Sequence, residues 1–245
     1  MVKALSAAEL LGLWERGLAQ SQSRWALSAL SSVGPHSSRN AAAPLSVGQR
    51  NARLLTLREQ AFGSRLTSMT VCPECEEQLE LDFDLADVRV ETHKEPKEQY
   101  SFDTGEYEIH YRLPTGRDLV SLEGQADSRK ADSALLERCV LKTVRNGEAV
   151  DVGELPEEVV DAVSKGMEEA DPQANMQLKV ECPACQYRWQ VTFDIVSFFW
   201  NELDVWAQRL LYAVHTLSAS YGWSESDILA MSAYRRQVYL EMSGG

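Results

Sequence analysis

Cys72-Pro73-Glu74-Cys75 runs on as EEQLELDFDL through residue 85, and Cys182-Pro183-Ala184-Cys185 runs on as QYRWQVTFDI through residue 195. Laid over each other, the two stretches share both cysteines, the proline, Phe83/Phe193 and Asp84/Asp194. Apolar residues also match at Leu79/Trp189, Leu81/Val191 and Leu85/Ile195. One C-x-x-C can arise by accident. Two with the same strand pattern behind them read as two halves of one site, tying distant parts of the chain into a single folded body.

Two such pairs supply four thiolates in tetrahedral geometry, the closed arrangement of structural zinc. A knuckle that opens a strand hairpin is the build of a zinc ribbon or a rubredoxin-like site. Cys72, Cys75, Cys182 and Cys185 are therefore expected to bind one Zn2+ as a staple. A catalytic zinc keeps a position open for water, whereas four thiolates leave none, and no H-E-x-x-H pattern occurs. Iron in the same four-sulfur site would make an electron carrier, which stands as an alternative. The commonest knuckle has Gly directly after its second cysteine. Glu76 and Gln186 stand there instead, so this turn is expected to be strained or differently shaped.

The remaining cysteine, Cys139, falls on the apolar face of a helical-looking stretch with Leu135, Leu136 and Val140 and reads as a buried thiol. Five cysteines in 245 residues are too few for a disulfide scaffold. Hydrophobic content of 44% and charged content of 25% are those of an ordinary globular protein. No apolar run reaches the roughly 18 residues that span a bilayer. The opening MVKALSAAELLGLWERGLAQ lacks the apolar core of a signal peptide, so a cytoplasmic location without membrane contact is expected.

The net charge of −13 is uneven. Residues 1–66 hold 8 Lys/Arg against 3 Asp/Glu, residues 67–175 hold 11 against 27, and residues 176–245 hold 5 against 7. Phosphate neutralisation needs a basic surface, and the acidic middle argues against nucleic acid. A zinc-ribbon nucleic-acid regulator survives only as an alternative resting on the basic N-terminal part.

Periodicity divides the chain into an N-terminal helical segment (1–66), a split ribbon (67–90 with 176–195), an acidic α/β insertion (91–175) and C-terminal amphipathic helices (196–245). The fold class is α+β. Capping boxes are expected at Ser6/Glu9 and Ser46/Gln49, with a break at Gly34-Pro35-His36-Ser37-Ser38. Residues 66–71, 79–85, 107–113 and 176–180 alternate as strands, and His110 reads as a surface or edge residue of one of them. Residues 91–105, including His93, read as a polar loop and 114–116 as a turn. Helices are expected over 128–142 and 155–166, the second closed by Gly166. Phe199, Leu203, Trp206, Leu210, Ala213 and Leu217 recur as one long helical stripe, ended by Gly222. Ser224 with Asp227, and then Ser232, start two short helices. His215 on the long helix reads as a packed or hydrogen-bonded histidine rather than a ligand.

No phosphate loop and no G-x-S-x-G nucleophile motif is present, so no enzymatic activity is expected. Trp200, Trp206, Tyr221, Trp223, Tyr234 and Tyr239, with Arg235 and Arg236, crowd the C-terminal segment. Aromatics and Arg are what protein interfaces use as anchors. They equally suit a core where the helices pack, and both readings stay open.

The opening LSAAELLGLWERGLAQ, the stretch LSVGQRNARLLTLREQAFGSRL leading into CPECEEQLELDFDLADVR, and the closing HTLSASYGWSESDILAMSAYRRQVYLEM resemble the T-even-phage-type baseplate hub assembly chaperone family. The resemblance is to members encoded with bacterial contractile injection systems, the phage-tail-like particles. It covers most of the chain, and the double C-P-x-C and the pattern from Tyr221 to Leu229 are its most specific parts. It implies a non-enzymatic helper that binds hub and spike proteins while a contractile baseplate is built. It carries over no catalytic residues.

Overall fold

Ser6 and Glu9 begin the first helix as expected. Ser6 Oγ accepts the Glu9 N–H at 3.2 Å while the Glu9 carboxylate accepts the Ser6 N–H at 2.7 Å, opening α1 (Ala7–Gly17). Helix α2 (Gln22–Val33) follows, and the second expected box, Ser46 with Gln49, opens α3 (Val47–Phe62). The computed structural model describes residues 5–33, 45–90, 97–125 and 127–244. The break expected at 34–38, with His36, and the position of His93 lie outside them.

The two matching stretches form matching hairpins. Strand β1 (Arg65–Val71) pairs antiparallel with β2 (Gln78–Asp84), and a single helical turn, α4 (Leu85–Val88), follows. The expectation carried strand through Leu85, but Asp84 accepts the Ala86 N–H at 3.0 Å and turns the chain into α4 there.

In sequence, a four-stranded antiparallel sheet separates the two hairpins. In chain order come β3 (Tyr100–Asp103), β4 (Tyr107–Tyr111), α5 (Gly116–Ser121), α6 (Ser128–Cys139), β5 (Val140–Arg145), β6 (Glu148–Ala149) and α7 (Glu157–Ala170). The sheet order is β3-β4-β5-β6, and α7 covers one face, with Val159 and Val163 against Tyr107, Ile109 and Tyr111.

Several expectations are corrected here. Strand β3 lies inside the stretch read as loop, because Tyr100 and Phe102 reach the α7 layer while their neighbours stay polar. Strand β4 is flanked on both sides, so His110 is not on an edge strand, and its Nε2 meets Glu108 Oε1 at 2.7 Å. Helix α6 stops at Cys139 rather than at 142, since the next residues pair with β4 as β5. The turn at 114–116 leads straight into α5. Gly166 does not close α7, which continues to Ala170; a Cβ there would come 2.5 Å from the Tyr111 hydroxyl, so the glycine serves close approach to the sheet. Cys139 is fully buried as expected, and burial is the first cause that raises its thiol to about 11.

The second hairpin, β7 (Gln177–Glu181) with β8 (Arg188–Thr192), leads into α8 (Ile195–Tyr221) through Asp194, which accepts the Val196 N–H at 3.0 Å. The Asp84/Asp194 match thus marks one device used twice, a hairpin that ends by capping a helix. Gly222 closes α8 in the left-handed conformation at φ +69. Helices α9 (Glu225–Ala230) and α10 (Ala233–Met242) begin at Ser224 and Ser232, again as expected.

The main core gathers the N-terminal helices, the bases of the hairpins and the first half of α8. Trp25, Leu54, Leu55, Leu66, Leu85, Phe193, Phe199 and Leu203 are buried together, and Trp25 meets Phe199 edge-on at 5.4 Å. A mixed α+β architecture with small antiparallel sheets results.

Candidate metal centre and partner surface

The two hairpins lie face to face. Leu79 and Val180 are buried between them, flanked by Leu81, Leu178, Trp189 and Val191. At the base Phe83 meets Phe193 edge-on at 5.6 Å, joining the hairpins to the main core. At roughly 3.3 Å per residue, the seven residues of β1 carry the knuckles about 20 Å from that base.

The knuckle turns repeat each other atom for atom. Cys72 N–H donates to Glu77 O at 2.9 Å and Glu76 N–H to Cys72 O at 3.0 Å. Cys182 N–H donates to Tyr187 O at 2.9 Å and Gln186 N–H to Cys182 O at 2.8 Å. Glu76 and Gln186 sit in the left-handed region at φ 61 and 63. That is the conformation glycine would adopt there without cost, so the missing glycines are borne as backbone strain in both turns.

Cys72, Cys75, Cys182 and Cys185 bring their four sulfurs within 4.8 Å of one another. Cys72 Sγ lies 3.6 Å from Cys185 Sγ, and Cys75 Sγ lies 3.6 Å from Cys182 Sγ. A disulfide needs about 2.05 Å. Tetrahedral ligands about 2.3 Å from a zinc ion lie about 3.8 Å apart, so the set fits such an ion and could hold it. Electrostatics agree. The Cys185 N–H, the strongest influence on it, lowers the Cys182 thiol to about 7. Against the pull of the Glu77 N–H, the crowding sulfurs of Cys185, Cys182 and Cys72 push Cys75 up to about 12. Only a cation lets four thiolates share so small a volume.

The eight aromatic and arginine residues singled out as candidate anchors in the C-terminal segment separate into two groups. Trp200 packs beside Trp25 at 5.3 Å, Trp206 beside Phe62 at 6.2 Å, and Arg236 is buried, donating to Met231 O at 2.6 Å. Tyr221 and Trp223 stack at 4.5 Å, Tyr239 closes on Trp223 at 4.8 Å, and the Arg235 guanidinium lies over Tyr239 at 5.6 Å. Tyr234, also on α10, is 81% exposed. His215 is exposed on α8 rather than packed.

One polar cluster escaped the sequence reading. Buried Gln173 accepts the Val90 N–H at 2.7 Å and donates to Val88 O at 2.9 Å, while its carbonyl accepts Asn51 Nδ2 at 3.1 Å. It ties the chain before the four-stranded sheet to the chain after it, and both to α3. An isolated Asp-Pro-Gln gives no local signal for such a role.

A mixed α+β protein with a four-cysteine cluster between two repeated hairpins has a counterpart among known families. Residues 23–200 match the family described as T4 bacteriophage base plate protein, and the chain belongs to that family. The match spans both knuckles and stops at Trp200, before the cluster of Tyr221, Trp223 and Tyr239. No curated protein and no solved structure matches the chain. Its role is baseplate-related, and among the described residues no helix is long and apolar enough to cross a membrane.

Proposed function

We propose that this protein is a non-enzymatic assembly factor or component of a contractile, phage-tail-like baseplate that binds hub and spike proteins while the baseplate forms. Family membership supports the setting. The observation that carries the binding role is the partly exposed cluster of Tyr221, Trp223, Arg235 and Tyr239 at the end of α8, with Tyr234 81% exposed on the same helix as Tyr239. Rigid aromatics with an arginine over them are the residue types on which interfaces spend most of their binding free energy. Trp200, Trp206 and Arg236 serve this surface indirectly, by fixing α8 and α10.

In the same reading the four cysteines hold one structural Zn2+ and the two hairpins form a split zinc ribbon. The domain plan is helical 1–66, ribbon 67–90 with 176–195, acidic insertion 91–175 and helical 196–245. The zinc clasps the hairpin tips and the aromatic cluster stands on the helices, which fits a helper of baseplate assembly in contractile injection systems. The experiment is co-purification of the full chain with hub and spike subunits encoded beside it. Capture that falls at least tenfold in a Trp223→Ala, Tyr234→Ala double variant is expected. No capture by the native chain, or capture indifferent to those changes, overturns the proposal.

A further inference from the structure

The exposed edge of β1 is built unlike the other strand edges of the two hairpins. Cys72 N–H donates to Glu77 O and Leu85 N–H to Ser64 O, and both pairs continue the register that runs from Arg65↔Asp84 to Val71↔Gln78. Hydrogen-bonded pairs alternate along an antiparallel ladder, so the even-numbered residues of β1 bond to β2. The N–H and C=O groups of Arg65, Thr67, Met69 and Val71 therefore point away from it. Among the described residues β1 pairs with β2 alone, and this row of donors and acceptors is open there.

Open edges invite further pairing, and proteins guard them with charge. Glu80 and Asp82 guard β2, Lys179 and Glu181 guard β7, and Arg188 guards β8. Arg65 guards only the start of β1, whose second half instead offers Met69 and Val71, 63% and 53% exposed. Beside it runs a groove of about 590 Å³ whose other wall is α8, with Phe198, Asn201, Val205 and Trp206 facing Thr67 and Ser68. A second hollow sharing Ser68, Phe198 and Asn201 continues it past Met69 towards Thr192. Arg209 lines one end and has no ion-pair partner among the described residues, whereas Arg58 is held by Glu202 and Arg65 by Asp82.

We infer that the β1 edge and the α8 wall form a strand-addition site for an extended segment of a partner protein, alternating in apolar residues and carrying a carboxylate at the Arg209 end. The added strand pairs its backbone with Thr67 and Met69. Its inward side chains meet Phe198, Val205 and Trp206, and its acid meets Arg209. A second copy is a poorer occupant, because it would bring another chain of net charge −13. The inference rests on the reading that the protein binds baseplate components, and adds a site separate from the C-terminal aromatic cluster.

The test uses overlapping 15-residue peptides spanning the neighbouring hub and spike proteins, each titrated against the full chain by fluorescence anisotropy. Binding of alternating, acid-bearing peptides is expected, with at least a tenfold loss in Met69→Pro and in Arg209→Glu and little change in Met69→Ala. Met69→Pro removes only an outward N–H, as edge strands allow; Met69→Lys replaces it if the proline variant fails to fold. Peptides that do not bind, or that bind Met69→Pro and Met69→Lys as well as the native chain, overturn the inference. So does a concentration-dependent dimer abolished by the same variants, which would make the occupant a second copy. Co-purification lost only on changing Trp223 and Tyr234 would leave the proposed function standing while this site falls.

Discussion

The backbone N–H of Gly48 donates to Asp171 Oδ2 at 2.8 Å across 123 residues of sequence. A helix begins with N–H groups that have no partner within it, and α3 finds three from three places. Val47 N–H goes to Pro114 O at 2.9 Å, Gly48 N–H to Asp171 and Gln49 N–H to Ser46 Oγ at 3.2 Å. A carboxylate at the positive end of a helix is also electrostatically favoured. The acidic middle of the chain is thereby anchored on the basic N-terminal part.

Gly48→Ala is expected to cost about 2 kcal/mol, because the new Cβ would overlap Asp171 Oδ1 and expel the carboxylate from a buried position. Urea denaturation measures it. In an Asp171→Ala background the same change should cost clearly less, since the two residues act as one contact. Equal costs in both backgrounds would mean that the glycine serves something other than this approach.

Glu76→Gly and Gln186→Gly should each raise stability by about 0.5–1 kcal/mol. Each removes the penalty of a side chain in the left-handed region, offset in part by the freedom glycine gains in the unfolded chain. Thermal unfolding of the single and double variants checks this, and lower melting temperatures would refute it.

Acid sensitivity should centre on Asp118. Although burial opposes its charge, Arg112 Nη1 and Nη2 at 2.7 and 2.9 Å and the Thr115 N–H and hydroxyl hold the carboxyl down at about 2. Its folded value lies below the ordinary value of about 3.9, so it contributes about 1–2 kcal/mol at neutral pH. That contribution is lost as pH falls from about 4 through 2. Asp171 runs the other way: burial raises it, so protonation on acidification adds stability there. Asp118→Asn should lower neutral-pH stability and flatten the decline between pH 4 and 2; an unchanged slope would exclude Asp118 as its source.

Chelation should loosen the hairpins first. The two hairpins share no backbone pairing with each other, and above Phe83 and Phe193 they meet through one small cluster, Leu79 and Val180 with Leu81, Leu178, Trp189 and Val191. Amides of 65–84 and 177–192 should lose exchange protection under a strong chelator, while α1, α2, α3 and the first half of α8 keep theirs. Cys182→Ser should cost several kcal/mol, because metal binding acts as folding free energy.

What could be read from the residues was whatever repeats or alternates locally. Both knuckles, the boxes at Ser6 and Ser46 and the stripe from Phe199 to Leu217 are local patterns, and each emerged where expected. Strand β3 was missed because only Tyr100 and Phe102 show its inner face inside a charged stretch. Strand β5 was missed because Val140 to Arg145 continue a helical-looking pattern, and only pairing with β4 makes them a strand. Gly48, Gly166 and Gln173 owe their roles to partners more than fifty residues away, which no local pattern reveals. The aromatic segment divided because burial of Trp200 and Arg236 depends on Trp25 and on the turn at Met231.

The most direct measurement is X-ray absorption at the metal edge, with metal content, on protein purified without added metal. One zinc per chain with four sulfur neighbours at about 2.3 Å, lost in Cys182→Ser, is the expected result. Iron with its visible colour, oxygen or nitrogen among the ligands, or a metal-free protein of equal stability would contradict a zinc clasp between the two hairpins.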